Sequence, residues 1–292
     1  MRGSFFLPGD APDVGYVATR DHPGGRDGRE FCEDLWTLYA PLADPHFRED
    51  AQANFLQRFW EMYLAVALQH HRMTLTRYGN VGPEFFTEHG GRRIWIEAIA
   101  PKQGEGADRV PDVRYGAAIA EYVPVEKILL RFTSALAAKR ERYLAAVKKG
   151  IIRPEDAYVL ALNSRGVPRA SISDGMPYFV QAFLPFGPVT VIVDTNSFEI
   201  RETFRAYRPT VRKTNAAEVS TRTFLDPESA FCSALLHSSV DCANHPSELG
   251  GDFVVLHNPQ AAVPVDASVF GWCEQLYLRE NYLHREPRWP MT

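Results

Sequence analysis

Between residues 50 and about 71 the apolar positions Phe55, Phe59, Met62 and Val66 recur at helical spacing, with Leu56, Tyr63 and Ala67 beside them. That pattern predicts a long helix with one broad apolar face. A second predicted helix covers 125–149, carries Ile128, Phe132, Leu136 and Tyr143, and ends at Gly150. Between the two the period changes to two. Residues 80–86, the turn Glu88-His89-Gly90-Gly91 and residues 93–100 read as a strand hairpin. Alternation puts Ile94, Ile96 and Ala98 on one face of its second strand and Trp95, Glu97 and Ile99 on the other. Residues 157–163 form a short apolar run of the buried-strand type, and 189–194 and 252–257 predict further strands. A short helix is expected at 178–183, a last helix at 274–282 and a loop at 101–122. Residues 1–30 are rich in Gly, Pro, Asp and Arg without sustained periodicity and read as a flexible N-terminal arm. Helices interleaved with strands predict an α/β fold with a mixed central sheet flanked by helices.

Composition narrows the function classes. The chain of 292 residues is 45% hydrophobic and 23% charged, which fits a folded protein and excludes a disordered one. A net charge of -4 excludes a globally basic coat for nucleic acid, though not local patches. No apolar run reaches membrane-span length and no secretory leader pattern opens the chain, so the expectation is a soluble, cytoplasmic protein without membrane contact. Cys32, Cys232, Cys242 and Cys273 show no CxxC pair, which fits a reducing compartment. The spacing of Cys232, His237, Cys242 and His245 departs from the usual paired pattern of a zinc site, and Cys242 with His245 is a weak nucleophile pair. His257-Asn258-Pro259 ends a predicted strand and His70-His71 a predicted helix, where imidazoles meet the helix dipole favourably. Neither a GxxxxGK[ST] phosphate loop nor a GxGxxG motif is present.

Three acidic residues stand where charge is expensive: Glu61 in the first long helix, Glu84 after Gly82-Pro83, and Glu97 inside an apolar strand. Helix packing over the hairpin would bring them together, and clustered carboxylates suit Mg²⁺ or Mn²⁺. Taken singly, each is explained as a solvated or edge-strand charge. The second helix is basic: Lys127, Arg131, Lys139, Arg140, Arg142, Lys148, Lys149 and Arg153 face only Glu126 and Glu141 between residues 126 and 153. A phosphate backbone fits beside such a stripe, as does plain solvent, and the arginines between 201 and 222 offer a second contact.

Gly82-Pro83-Glu84, followed by Ile94-Trp95-Ile96-Glu97-Ala98-Ile99, resembles the signature of the PD-(D/E)xK nuclease superfamily, with Phe59-Trp60-Glu61 similar to its first-helix acid. The resemblance spans roughly residues 50–165 and implies a restriction-endonuclease-like core that hydrolyses phosphodiesters with a divalent metal. It implies Glu84, Glu97 and Glu61 as metal ligands and Mg²⁺ or Mn²⁺ as cofactor, with DNA or RNA as the partner. Two positions depart from the pattern. Glu84 replaces the usual aspartate, and Ile99 replaces the usual lysine. Lys139, in a Lys139-x-x-x-Tyr143 pair similar to the superfamily's Gln-x-x-x-Tyr helix motif, is the first candidate to supply the missing ammonium, and Lys102 the second. Lys102, Arg140, Arg142 and Tyr143 are the expected substrate contacts. The domain reading is a nuclease-like core at 31–200 with a C-terminal extension or subdomain at 201–292. The alternative readings are a catalytically inactive module of the same fold that binds nucleic acid or a protein, and an α/β protein whose acids are structural.

Overall fold

The computed structural model describes residues 3–78, 82–113, 122–173 and 175–289. Four helices come first: α1 (Val14–Asp21), α2 (Arg26–Tyr39), α3 (Phe47–Ala51) and α4 (Phe55–His70). The hairpin β1 (Phe85–His89) and β2 (Arg92–Ile99) follows, then α5 (Val125–Lys148) and β3 (Ala157–Asn163). A short α6 (Tyr178–Phe183) leads to β4 (Phe186–Val193), β5 (Ile200–Tyr207), β6 (Thr210–Arg212) and β7 (Glu218–Ser220). The chain closes with β8 (Ala234–Ser238), β9 (Val254–His257), β10 (Glu274–Arg279) and β11 (Tyr282–Glu286). Positions 80 and 81 of the expected hairpin and 114–121 of the expected loop lie outside the described residues.

Seven strands form one mixed sheet in the order β1-β2-β3-β8-β9-β10-β11. β2, β3 and β8 are mutually parallel, β1 and β9 run against their neighbours β2 and β8, and β10 is parallel to β9. The α/β architecture expected from the sequence is thus present. Period-two alternation decides which side chains face which layer. Ile94, Ile96, Ala98, Val159 and Ala161 face a core shared with α1–α4, whereas Leu160, Leu162 and Leu235 face α5 and α6. Trp60 Nε1 donates to Ala161 O at 3.0 Å, which fixes α4 across the sheet. The hairpins β4–β5 and β6–β7 are separate two-stranded sheets.

Two expectations are corrected. Residues 3–30 are no loose arm: Phe5 and Tyr16 are fully buried, and Asp13 caps α1 through Gly15 N while also accepting from Phe55 N. Its buried aromatics, the adjacent pair Phe5-Phe6 and Tyr16, stand between Gly and Pro punctuation, so no sustained periodicity betrays them. Residues 274–282 form no helix but the hairpin β10–β11. Glu280 and Asn281 have φ of 51° and 66°, the backbone of a tight two-residue turn. Of the two readings of residues 201–292, extension or subdomain, β8–β11 follow the first: they complete the sheet that β1–β3 begin. Among the described residues no helix is long and apolar enough to cross a membrane.

Candidate active site

The site arises because β1 and β2 part company. Their pairing ends at Phe85 opposite Ile96, while β2 runs on to Ile99. The exposed ladder groups of that extension still need partners, and side chains provide them. Glu84 Oε2 accepts from Ala98 N at 2.7 Å. Gln57 of α4 accepts from Ala100 N at 2.8 Å and donates to Ala98 O at 3.3 Å. Glu84 therefore stands in for the missing strand, held beside the backbone that carries Glu97.

Alternation turns Glu97 toward α5, where Lys139 donates to its Oε1 and Arg142 Nη1 lies 3.6 Å from the same oxygen. Both Glu97 and Lys139 are buried, whereas the Arg142 side chain is 72% exposed. Positions 139, 142 and 143 share one helix face, so Tyr143 lies alongside and packs against Tyr158 of β3 at 5.1 Å. Among the described residues the buried Tyr158 hydroxyl has no hydrogen-bond partner. Burial holds its proton firmly, and the neighbouring Glu97 charge reinforces that.

Burial pushes the Glu84 carboxyl up to about 7, and the Glu97 charge adds to the rise against the pull of Lys139 and the Ala98 N–H. Glu61 is also raised to about 7, first by burial and then by Glu84. Glu84 thus shares an electrostatic environment with each of the other two acids. Glu61 is committed elsewhere: Arg58 Nη1 donates to it at 2.7 Å and Gln57 Nε2 at 3.0 Å. Among the described residues no three His, Cys, Asp or Glu side chains are grouped to hold a metal ion. As a donor set, Glu84 and Glu97 fit a hard divalent cation, since Mg²⁺ takes one or two carboxylates and keeps several waters. Glu61, saturated by Arg58 and Gln57, does not fit that set.

The remaining candidates are dispersed. Lys102 bonds Asn54 Oδ1 at 2.9 Å and lines a cleft of about 1000 Å³ with Arg109 and Arg131, away from Glu97. Arg140 faces Glu228 at 3.9 Å. Ile99 packs into the apolar layer beneath α5 and α6. Cys232, His237, Cys242 and His245 do not converge: they meet Ala234 O, Ser164, Thr19 and Phe31 respectively. His257 is paired with Gln275, and His71 bonds Leu249 O. Arg201, Arg212 and Arg222 form ion pairs with Asp194, Glu218 and Asp226. Sequence reasoning missed Gln57, Arg58 and Tyr158. Gln57 was findable, since it stands one helical turn before Glu61; Tyr158 looked like any other buried-strand aromatic.

The chain matches no family model, no curated protein and no solved structure.

Proposed function

We propose that the protein is a divalent-metal-dependent phosphodiesterase acting on nucleic acid, with Glu84 and Glu97 as metal ligands and Lys139 as the ammonium of the site. One observation supports this above the rest: a lysine from α5 meets the strand acid Glu97 beside a second enclosed carboxylate. Ile99, at the position where the resembled signature carries lysine, is thereby compensated from another element.

Magnesium or manganese bound there would supply an acidified water and neutralise charge on a phosphoryl oxygen. The chain's own groups do the rest. Lys139 pairs with Glu97 and places a positive charge where the phosphate becomes more negative. Glu84, anchored by the Ala98 N–H, is held beside the backbone that carries Glu97. Arg142, whose side chain is largely exposed, reaches a substrate phosphate with one guanidinium edge while facing Glu97 with the other. Lys102, Arg109 and Arg131 line a cleft in which a further stretch of backbone is neutralised.

A second reading has its own support. The Glu97–Lys139 pair is closed and buried, as in a site retired from catalysis that still binds nucleic acid. The two are separated by titrating Mg²⁺ and Mn²⁺ into wild type and Glu97→Gln with labelled single- and double-stranded DNA and RNA. Metal-dependent cleavage that disappears in Glu97→Gln establishes the enzyme. Binding without cleavage at any metal concentration establishes the inactive module.

A further inference from the structure

The middle of the hairpin β4–β5 rests on the body of the protein with neither face. Strand side chains alternate, so a ribbon lying on the core would hide residues of one parity. Val191 and Ile192 point to opposite faces and each is 44% exposed, and Val189, Val193, Ile200 and Phe204 are exposed with them. A two-stranded ribbon is marginal in water by itself, and an exposed apolar cluster of this kind marks an interaction site. Among the described residues β4 and β5 pair only with each other, which leaves an open edge on either side. The two edges differ. β5 carries Arg201, Glu202 and Arg205, charges that discourage a further strand. β4 carries no charge from Phe186 to Val193, and Val189-Thr190-Val191-Ile192-Val193 is an unbroken run of β-branched residues whose positions 189–192 pair regularly against 205–202. Left open, that edge is a template for strand addition.

The geometry points to a second copy of this chain as the occupant of that edge, with the two β4 strands paired antiparallel about a two-fold axis at Val191. In that register Val189 stands opposite Val193 of the second copy, Thr190 opposite its Ile192, and Val191 opposite its counterpart. Uncharged β-branched groups meet throughout, and no like charges do. The product is a closed four-stranded sheet whose outer edges are the charged β5 strands. The same operation through β5 is opposed by charge: centred on Thr203 it sets Arg201 against Arg205 of the second copy, and centred on Glu202 it sets two carboxylates face to face. Charge also selects against other occupants. Residues 186–207 hold Asp194, Glu199 and Glu202 against Arg201 and Arg205, an excess of acid that suits neither a phosphate backbone nor an anionic lipid surface. The surface shares no residue with Glu84, Glu97 or Lys139 and stands independently of the phosphodiesterase reading.

The test is sedimentation of the full chain over a concentration series, with hydrogen exchange followed at 189–193. Wild type should show a monomer–dimer equilibrium, and amides of that run should gain protection as the dimer forms. Val189→Lys and Val193→Glu should each weaken association by about tenfold or more, since every dimer then meets the misplaced charge twice. The two substitutions combined should restore the dimer, because position 189 of one copy faces position 193 of the other and the introduced charges are opposite. Val191→Thr, which keeps an uncharged β-branched residue at the axis, should leave association unchanged. Wild type that stays monomeric at every concentration, or that dimerises without added protection at 189–193, overturns the proposal with no variant needed. Open-ended assembly in place of a dimer overturns the two-fold pairing, and a double variant that associates no better than the single ones overturns the register.

Discussion

At the scale of single residues the buried Glu97–Lys139 pair bears on stability and, under the proposed phosphodiesterase reading, on chemistry. Lys139→Met leaves a buried carboxylate without its ammonium and should cost about 3–5 kcal/mol, read from denaturant melts. Adding Glu97→Gln to Lys139→Met should recover much of that loss, because the uncompensated charge is gone. Recovery of folding without recovery of cleavage would separate the structural role of the pair from its catalytic one. Glu97→Gln alone should lower metal-dependent cleavage by roughly 100-fold or more while Arg142→Ala mainly weakens substrate binding; equal rates for Glu97→Gln and wild type would falsify the assignment. Glu97 was legible as a residue needing a charge partner because a carboxylate in an apolar strand cannot be buried alone. The identity of that partner was chosen between Lys139 and Lys102 only by packing, since α5 lies over the face that Glu97 shares with Trp95 while Lys102 turns to Asn54.

Among the elements, the long helices and buried strands were readable because each buries a continuous face. Predicted and observed bounds agree within a residue or so for α5 and β3, and coincide for α6. β10–β11 escaped because its charged edge residues and short apolar alternation imitate a helical pattern, and the turn at Glu280-Asn281 lacks glycine. Both turn residues sit in the left-handed region, which favours Asn-Gly there. Glu280→Asn with Asn281→Gly should therefore raise stability by about 1 kcal/mol, measured by thermal or urea unfolding. The opposite holds where loops touch. A β-carbon on Gly166 would fall 2.6 Å from Pro101 O, so Gly166→Ala should destabilise by about 1–3 kcal/mol as the loops after β3 and β2 are forced apart.

For the whole molecule, three buried titrations shape stability against pH. Glu61 and Glu84 hold their protons up to about 7 in the fold, whereas an unfolded chain releases them near 4.5. Between those values the native state binds more protons, so stability is full at the acid end and falls as pH rises toward and through 7. His237, stacked on Phe179, is kept neutral by burial with its titration lowered to about 3. Its contribution is present above the unfolded value near 6.5 and is lost as pH falls toward 3. Urea midpoints should peak at intermediate pH, and Glu84→Gln should flatten the fall on the alkaline side. Magnesium at pH 8 should restore wild type there and leave Glu84→Gln unchanged, because only the ionised carboxylate is a ligand.

By itself the sequence determined the local periodicities, and with them the mixed α/β class, the two long helices and the misplaced charges at Glu61, Glu84 and Glu97. These are properties of short segments, set by which side chains fall on one face. Tertiary structure alone decided that the N-terminal aromatics join the core and that β8–β11 finish the sheet. It also decided that Glu61 belongs to Arg58, and that Lys139 meets Glu97. Each of those outcomes depends on which distant faces come to pack together, a choice made by the burial of the entire chain at once.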